Sequence, residues 1–267
     1  MKLKKILLSY VITKRQKLLL MSFFLTVILV ATQTVPESLR YQTMGILGLA
    51  TAFLAIFSLW GELSGIKYLL LLLLPVYFVM GASLFYFLLP VRWLTRLPFA
   101  FLFGVSVYLL MLTSNIFNIA AIRTIALLRA AHAVGLLFSL VATFFLTNVL
   151  FSFHFAVYWI VPAVVAICMP LYLASLWSYE LEEFISRRVF IFAVIFTLVT
   201  AQITSLVSFW PIVPINGALV VVTVMYALLG LGQFVFGEKL KQRVIWEHLV
   251  VSGIVIFIVL LSTRWSG

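Results

Sequence analysis

Three of the seven acidic residues of this chain stand within four positions: Glu180, Glu182 and Glu183, in the stretch YELEEFISRR that closes with Arg187 and Arg188. Carboxylates so spaced have two chemical uses. They can offer oxygens to a hard cation, or supply an acid and a base to a reaction. Either use needs ligands or partners from elsewhere, and the chain has no aspartate at all. Phosphoryl-transfer and two-metal sites usually gather several carboxylates, and neither a P-loop nor a dinucleotide fingerprint is present. The same residues also satisfy a structural role. On a helix, Glu183 and Arg187 are an i,i+4 pair in the favourable order, with Leu181, Phe184 and Ile185 turned toward a membrane surface. A short, salt-bridged interfacial helix joining two membrane spans is therefore expected here, with a docking patch or a cation or proton site as the functional alternative.

A second constellation centres on His132. The segment Ala131-His132-Ala133-Val134-Gly135 is similar to the A-H-x-x-G signature of rhomboid intramembrane proteases, and Gly81-Ala82-Ser83 and Gly104-Val105-Ser106 each offer part of a G-x-S. The resemblance covers about eight residues and implies a Ser/His dyad, in which histidine and serine must share one depth in the membrane. This chain departs from the pattern: neither serine is followed by the family's glycine, and His132 lacks the second downstream glycine. Arg129 beside it marks a membrane edge.

Amides inside apolar runs form the third group: Asn115 and Asn118, Asn148, Gln202 with Thr200 and Thr204 around it, and Gln233. An unpaired polar group is costly in lipid. Uncharged amides usually bond one helix to another, so Asn115, Asn118 and Gln202 are read first as helix-to-helix contacts and second as a polar pathway. The three histidines, His132, His154 and His248, are too scattered for a metal site. The single cysteine, Cys168, excludes an intrachain disulfide and a cysteine-based cluster. No metal or cofactor is expected.

The elements that must carry these residues follow from composition. The chain has 267 residues, 65% hydrophobic and 9% charged, with mean hydropathy +1.25. Soluble domains have nearer a quarter of their residues charged, so the expectation is an all-α polytopic bundle in a membrane. Residues 1–17 hold six Lys/Arg with apolar residues at helical spacing, which fits a basic amphipathic segment on a membrane face. Residues 18–267 then form one transmembrane domain. A span needs about 20 mostly apolar residues, and nine such runs are placed at 18–35, 43–60, 68–90, 97–118, 132–153, 156–178, 189–210, 216–236 and 248–264. Eight is the alternative, since the last is short.

The net charge of +11 does not indicate nucleic acid, because the basic residues lie between apolar runs rather than on one wet face. With the N-terminus on the cytoplasmic side, alternate loops divide the 18 Lys/Arg fourteen to four, as the positive-inside rule requires. The implied partners are the lipid bilayer, anionic headgroups at the cytoplasmic face and a membrane protein partner, in a bacterial-type plasma membrane. Pro75, Pro162 and Pro170 interrupt two spans, and Gly48/Ala52 and Ala131/Gly135 give small-xxx-small spacing for close helix contact. Ion-coupled transport and acid/base catalysis tend to need ionisable groups within the spans, and few are present. The sequence therefore favours a non-catalytic membrane subunit, scaffold or accessory factor over a transporter or lipid-handling protein for an apolar substrate, and either over a membrane-embedded enzyme.

Overall fold

The structure, a computed structural model, describes residues 13–58, 67–90, 92–120, 126–236 and 242–263. Most of the basic N-terminal segment, together with Glu62, Arg123, Glu238, Lys239, Lys241 and Arg264, lies outside these residues. The described part contains nine α-helices and no strand: α1 (Lys14–Ala31), α2 (Arg40–Ser58), α3 (Lys67–Leu88), α4 (Trp93–Ala120), α5 (Leu128–Ser152), α6 (Val157–Glu180), α7 (Arg187–Val207), α8 (Pro214–Phe236) and α9 (Gln242–Ser262). Seven are long and apolar enough to cross a membrane, and α2 and α9 carry shorter apolar stretches, Gln42–Phe57 and Trp246–Ser262. The protein is a membrane-embedded helical bundle.

Helices form here because, in lipid, only a helix satisfies every main-chain group within its own segment. Their ends are set locally. A capping box of Thr13 and Gln16 opens α1, Ser186 caps α7 by accepting from the Val189 amide, and Pro214 starts α8 where its missing N–H costs nothing. Chain entry into α4 comes earlier than expected, at Trp93, so that Pro98 lies inside the helix near its start.

Contacts show that successive helices run up and down. At one end of the bundle the start of α1 meets the end of α2, with Lys17 over the Phe57 ring at 5.8 Å. At this same end Ser114 near the close of α4 donates to the Leu71 carbonyl near the opening of α3, 3.1 Å. Arg188 at the start of α7 donates to the Val235 carbonyl at the end of α8, 2.9 Å. At the opposite end Gln33 donates to the Tyr86 hydroxyl, Arg96 covers the Tyr86 ring at 5.3 Å, and Asn216 donates to Ser262 at 2.9 Å.

Helix α5 is the hub. Helices α1 to α4 pack among themselves, α6 to α9 do likewise, and α5 packs broadly against α3 on one side and α8 on the other. Phe78 of α3 touches Phe103 of α4 and Phe138 of α5, with ring centroids 6.1 and 5.3 Å apart. Gly81 allows α3 and α5 to approach closely: a Cβ there would lie 3.0 Å from Leu146 Cγ and 3.3 Å from the Ala142 carbonyl oxygen. Gly48 of α2 plays the expected packing part against Met80 of α3.

Candidate functional site

Between α3, α4, α5, α6 and α8, toward the end where Ser114 meets Leu71, lies a cleft of about 590 Å³, mouth included. Leu70, Leu74, Leu110, Leu136 and Leu229 form its apolar walls. Its polar surface comes from short hydroxyl side chains and one imidazole. Among the described residues, no Asp, Glu, Lys or Arg lines it.

His132 is the organising residue. Near the start of α5 it points across to the end of α6, where its Nε2 stands 2.8 Å from the Ser178 carbonyl oxygen. A carbonyl can only accept, so Nε2 carries the hydrogen. One ring face stacks on Tyr179 (4.4 Å, 16°), and Phe117 of α4 packs at 5.4 Å. The Phe117 ring also lies beside Gly135, one turn on, where a Cβ would meet it at an ordinary contact distance of 3.6 Å. The Tyr179 hydroxyl is bonded to the Gln233 side chain of α8. Deeper along the same seam, Ser139 and Ser175 join α5 to α6 through their hydroxyls, 3.3 Å apart.

The A-H-x-x-G segment is thus a helix-packing feature. Ala131 is buried, Gly135 lies beside an aromatic ring, and His132 hydrogen-bonds a main-chain carbonyl. Ser83 donates to the Val79 carbonyl of its own helix at 2.6 Å, and neither Ser83 nor Ser106 lines the cleft. The Ser/His dyad implied by the rhomboid resemblance is not formed.

The acidic stretch also differs from expectation: it is not a helix. Glu180 is the last residue of α6, because Leu181 takes the left-handed conformation (φ 54, ψ 27) and returns its N–H to the Trp177 carbonyl. Residues 181–186 form a loop, pinned by the Trp177 indole N–H on the Glu182 carbonyl at 3.0 Å. Arg187 then opens α7, so the i,i+4 register proposed for Glu183 and Arg187 does not exist. Glu182, Glu183, Arg187 and Arg188 are exposed, whereas Glu180 is half-buried with one carboxylate oxygen sealed from solvent and without a donor. Arg188 has a structural partner instead. Its guanidinium covers Phe236 at 4.8 Å and meets the C-terminal carbonyls of α8, where a helix dipole favours a cation.

Of the amides, Asn118 is buried with its Nδ2 lacking a partner and Asn115 is half-buried. Gln202 is exposed on the outer surface of α7 and is no helix-to-helix bridge. Its neighbours do that work: Tyr172 of α6 bonds Thr200 of α7 at 2.8 Å. Glu180, Glu182, Glu183, Arg187, Arg188, Asn115, Asn118 and Gln202 do not line the cleft, whereas His132, singled out from the sequence for a different chemistry, does. Among the described residues, no group of three His, Cys, Asp or Glu is placed to hold a metal ion.

The family described as "Protein of unknown function (DUF5656)" matches residues 126–262, from the turn before α5 to the end of α9. The chain belongs to this family. No curated protein and no solved structure matches the chain. The DUF5656 segment supplies the His132 side of the cleft with α5, α6 and α8, while α3 and α4, outside the match, close it.

Proposed function

We propose that this DUF5656 protein is a lipid-handling membrane protein that takes an uncharged amphiphile into the cleft between α3, α4, α5, α6 and α8. One observation carries the reading. A single cleft combines leucine walls, which suit an acyl or isoprenoid chain, with a band of hydroxyls and one imidazole, and its described lining residues carry no formal charge. Scarcity of ionisable groups in the spans, which by itself favours a subunit or scaffold, is equally what a site for an uncharged ligand needs. Binding is favoured over catalysis because the groups that would do chemistry are committed to main-chain carbonyls: His132 to Ser178, Ser178 to Ser175, Ser114 to Leu71. The test is photocrosslinking of the purified protein in nanodiscs with a diazirine-bearing lipid, followed by peptide mapping. Label concentrated on the cleft faces of α4, α5 and α6, and removed by filling the cleft with Leu110→Trp, supports the reading. Label spread evenly over the lipid-facing surfaces of all helices would sink it.

The orientation belongs to the same proposal. The end carrying the cleft is placed at the cytoplasmic face of a bacterial-type plasma membrane, supported by the fourteen-to-four division of Lys/Arg between alternate loops. Cys168 is buried, so labelling from either side reports introduced cysteines. Gln16→Cys and Glu182→Cys should label from the cytoplasm and Ser38→Cys from outside; the reverse result would overturn the orientation.

A further inference from the structure

We infer that the cleft selects its ligand by accepting a hydroxyl proton, with His132 Nδ1 as the principal acceptor and a long-chain primary alcohol as the ligand class. This rests on the reading of the cleft as an amphiphile site and specifies which head that site takes.

The argument is an account of hydrogens. Thr113 donates to the Leu109 carbonyl at 2.8 Å, Ser114 to the Leu71 carbonyl at 3.1 Å and Ser178 to the Ser175 carbonyl at 2.7 Å. Each hydroxyl has one hydrogen and two lone pairs. Once the hydrogen is bound to the main chain, only lone pairs are left to face the cleft. His132 repeats this pattern. Its Nε2 hydrogen is held by the Ser178 carbonyl, and with no carboxylate among the described lining residues to pair a buried imidazolium the neutral ring is favoured, which leaves a lone pair on Nδ1. Tyr179 stacks on one ring face and Phe117 packs at 5.4 Å, so the ring edge is the open approach. Two exceptions remain: in the Ser139–Ser175 pair one hydroxyl donates to the other, so one hydrogen of the pair is uncommitted, and the Tyr179 hydroxyl, bonded to Gln233, can supply a second.

The polar band is therefore rich in acceptors and poor in donors. A ligand that only accepts, such as an ether or ester, finds at most two hydrogens, from the serine pair and from Tyr179. A ligand that donates finds His132 Nδ1 and the hydroxyl lone pairs around it. An ammonium head would donate too, but it would carry a charge into a lining whose described residues include no carboxylate, and burial of an unpaired charge is strongly unfavourable. A hydroxyl head has neither fault.

The experiment uses the full-length protein in nanodiscs and three probes with the same diazirine-bearing hexadecyl chain: the alcohol, its methyl ether and the amine. The alcohol should label cleft peptides roughly tenfold more than the ether, the worth of about one hydrogen bond, and more than the amine. In His132→Phe, which keeps an aromatic ring between Tyr179 and Phe117, alcohol labelling should fall to the ether level. Equal labelling of the cleft by alcohol and ether in the wild-type protein overturns the inference while leaving the amphiphile reading intact, and needs no variant. Preference for the amine overturns it in favour of a cationic head. Absence of cleft labelling by all three overturns both the inference and the reading beneath it.

Discussion

Helix α5 packs against its neighbours in two different ways. Toward α3 and α4 it presents Phe138 and Phe145, which meet Phe78 and Phe85, the Phe85–Phe145 rings stacking at 4.7 Å. Toward α6 and α8 it presents Ser139, Thr143 and Thr147, one per turn, each nearly or fully buried. Thr143 and Thr147 bond back to the carbonyl four residues earlier in their own helix, and Thr143 also touches the Met225 sulfur of α8 at 3.0 Å. In lipid there is no water-driven gain between helices, so association depends on van der Waals fit and on cross-helix hydrogen bonds. The aromatic face obtains fit from large interlocking surfaces. The hydroxyl face obtains it from small side chains that let backbones come close while their polar groups are satisfied locally. The cleft lies where the two kinds of surface meet, with most of its leucines and Phe117 from α3 and α4 and most of its serines from α5 and α6, although Thr113 and Ser114 of α4 and Leu136 and Leu229 of α5 and α8 cross that division.

If this contrast is right, damage to the aromatic face should cost most. Phe78→Ala removes a side chain 3% exposed that contacts three other rings. In a water-driven core Phe→Ala costs about 3–5 kcal/mol; without the transfer part, about 2 kcal/mol is expected here, measured by steric trapping in bicelles. Gly81→Ala tests the close α3–α5 approach from the other direction. Its new Cβ would press on the Ala142 carbonyl, which cannot swing aside as a side chain can, and about 1 kcal/mol of destabilisation is expected from overpacking. A neutral or stabilising result would show that α3 and α5 have room to part.

Contacts made through hydroxyls should cost less, and the same kind of contact joins α6 to α7. Tyr172→Phe deletes the α6–α7 hydrogen bond to Thr200, while Thr200 keeps its bond to the Phe196 carbonyl. About 0.6 kcal/mol is expected, the average for such bonds in a membrane; a loss equal to that of Phe78→Ala would erase the distinction between aromatic and hydroxyl packing. Smallest of all is Glu183→Gln. Since Glu183 lies exposed in a loop with no helical partner at Arg187, no shift in thermal unfolding in detergent should be detectable, and a clear shift would mean that the loop makes contacts beyond these.

What the sequence determined is the framework. Apolar runs of span length place each helix, because in lipid a helix is the one element that satisfies a backbone within its own segment, and the helix positions follow the nine runs to within six residues. Hydropathy, however, reports depth and says nothing of azimuth. Ser114, His132, Ser139, Ser175 and Ser178 could each be assigned to the same half of the bundle from the span map, but whether they face one another, lipid or a neighbouring helix depends on how each helix is rotated about its axis. That rotation is chosen by fit between side chains far apart in the chain, such as Phe117 against Gly135 or Gly81 against Ala142, so no local pattern encodes it. The acidic stretch failed for the complementary reason: its i,i+4 spacing was a valid helical signal, and a tertiary contact, the Trp177 indole on the Glu182 carbonyl, together with the left-handed turn at Leu181 and the Ser186 cap, held the backbone in a loop instead.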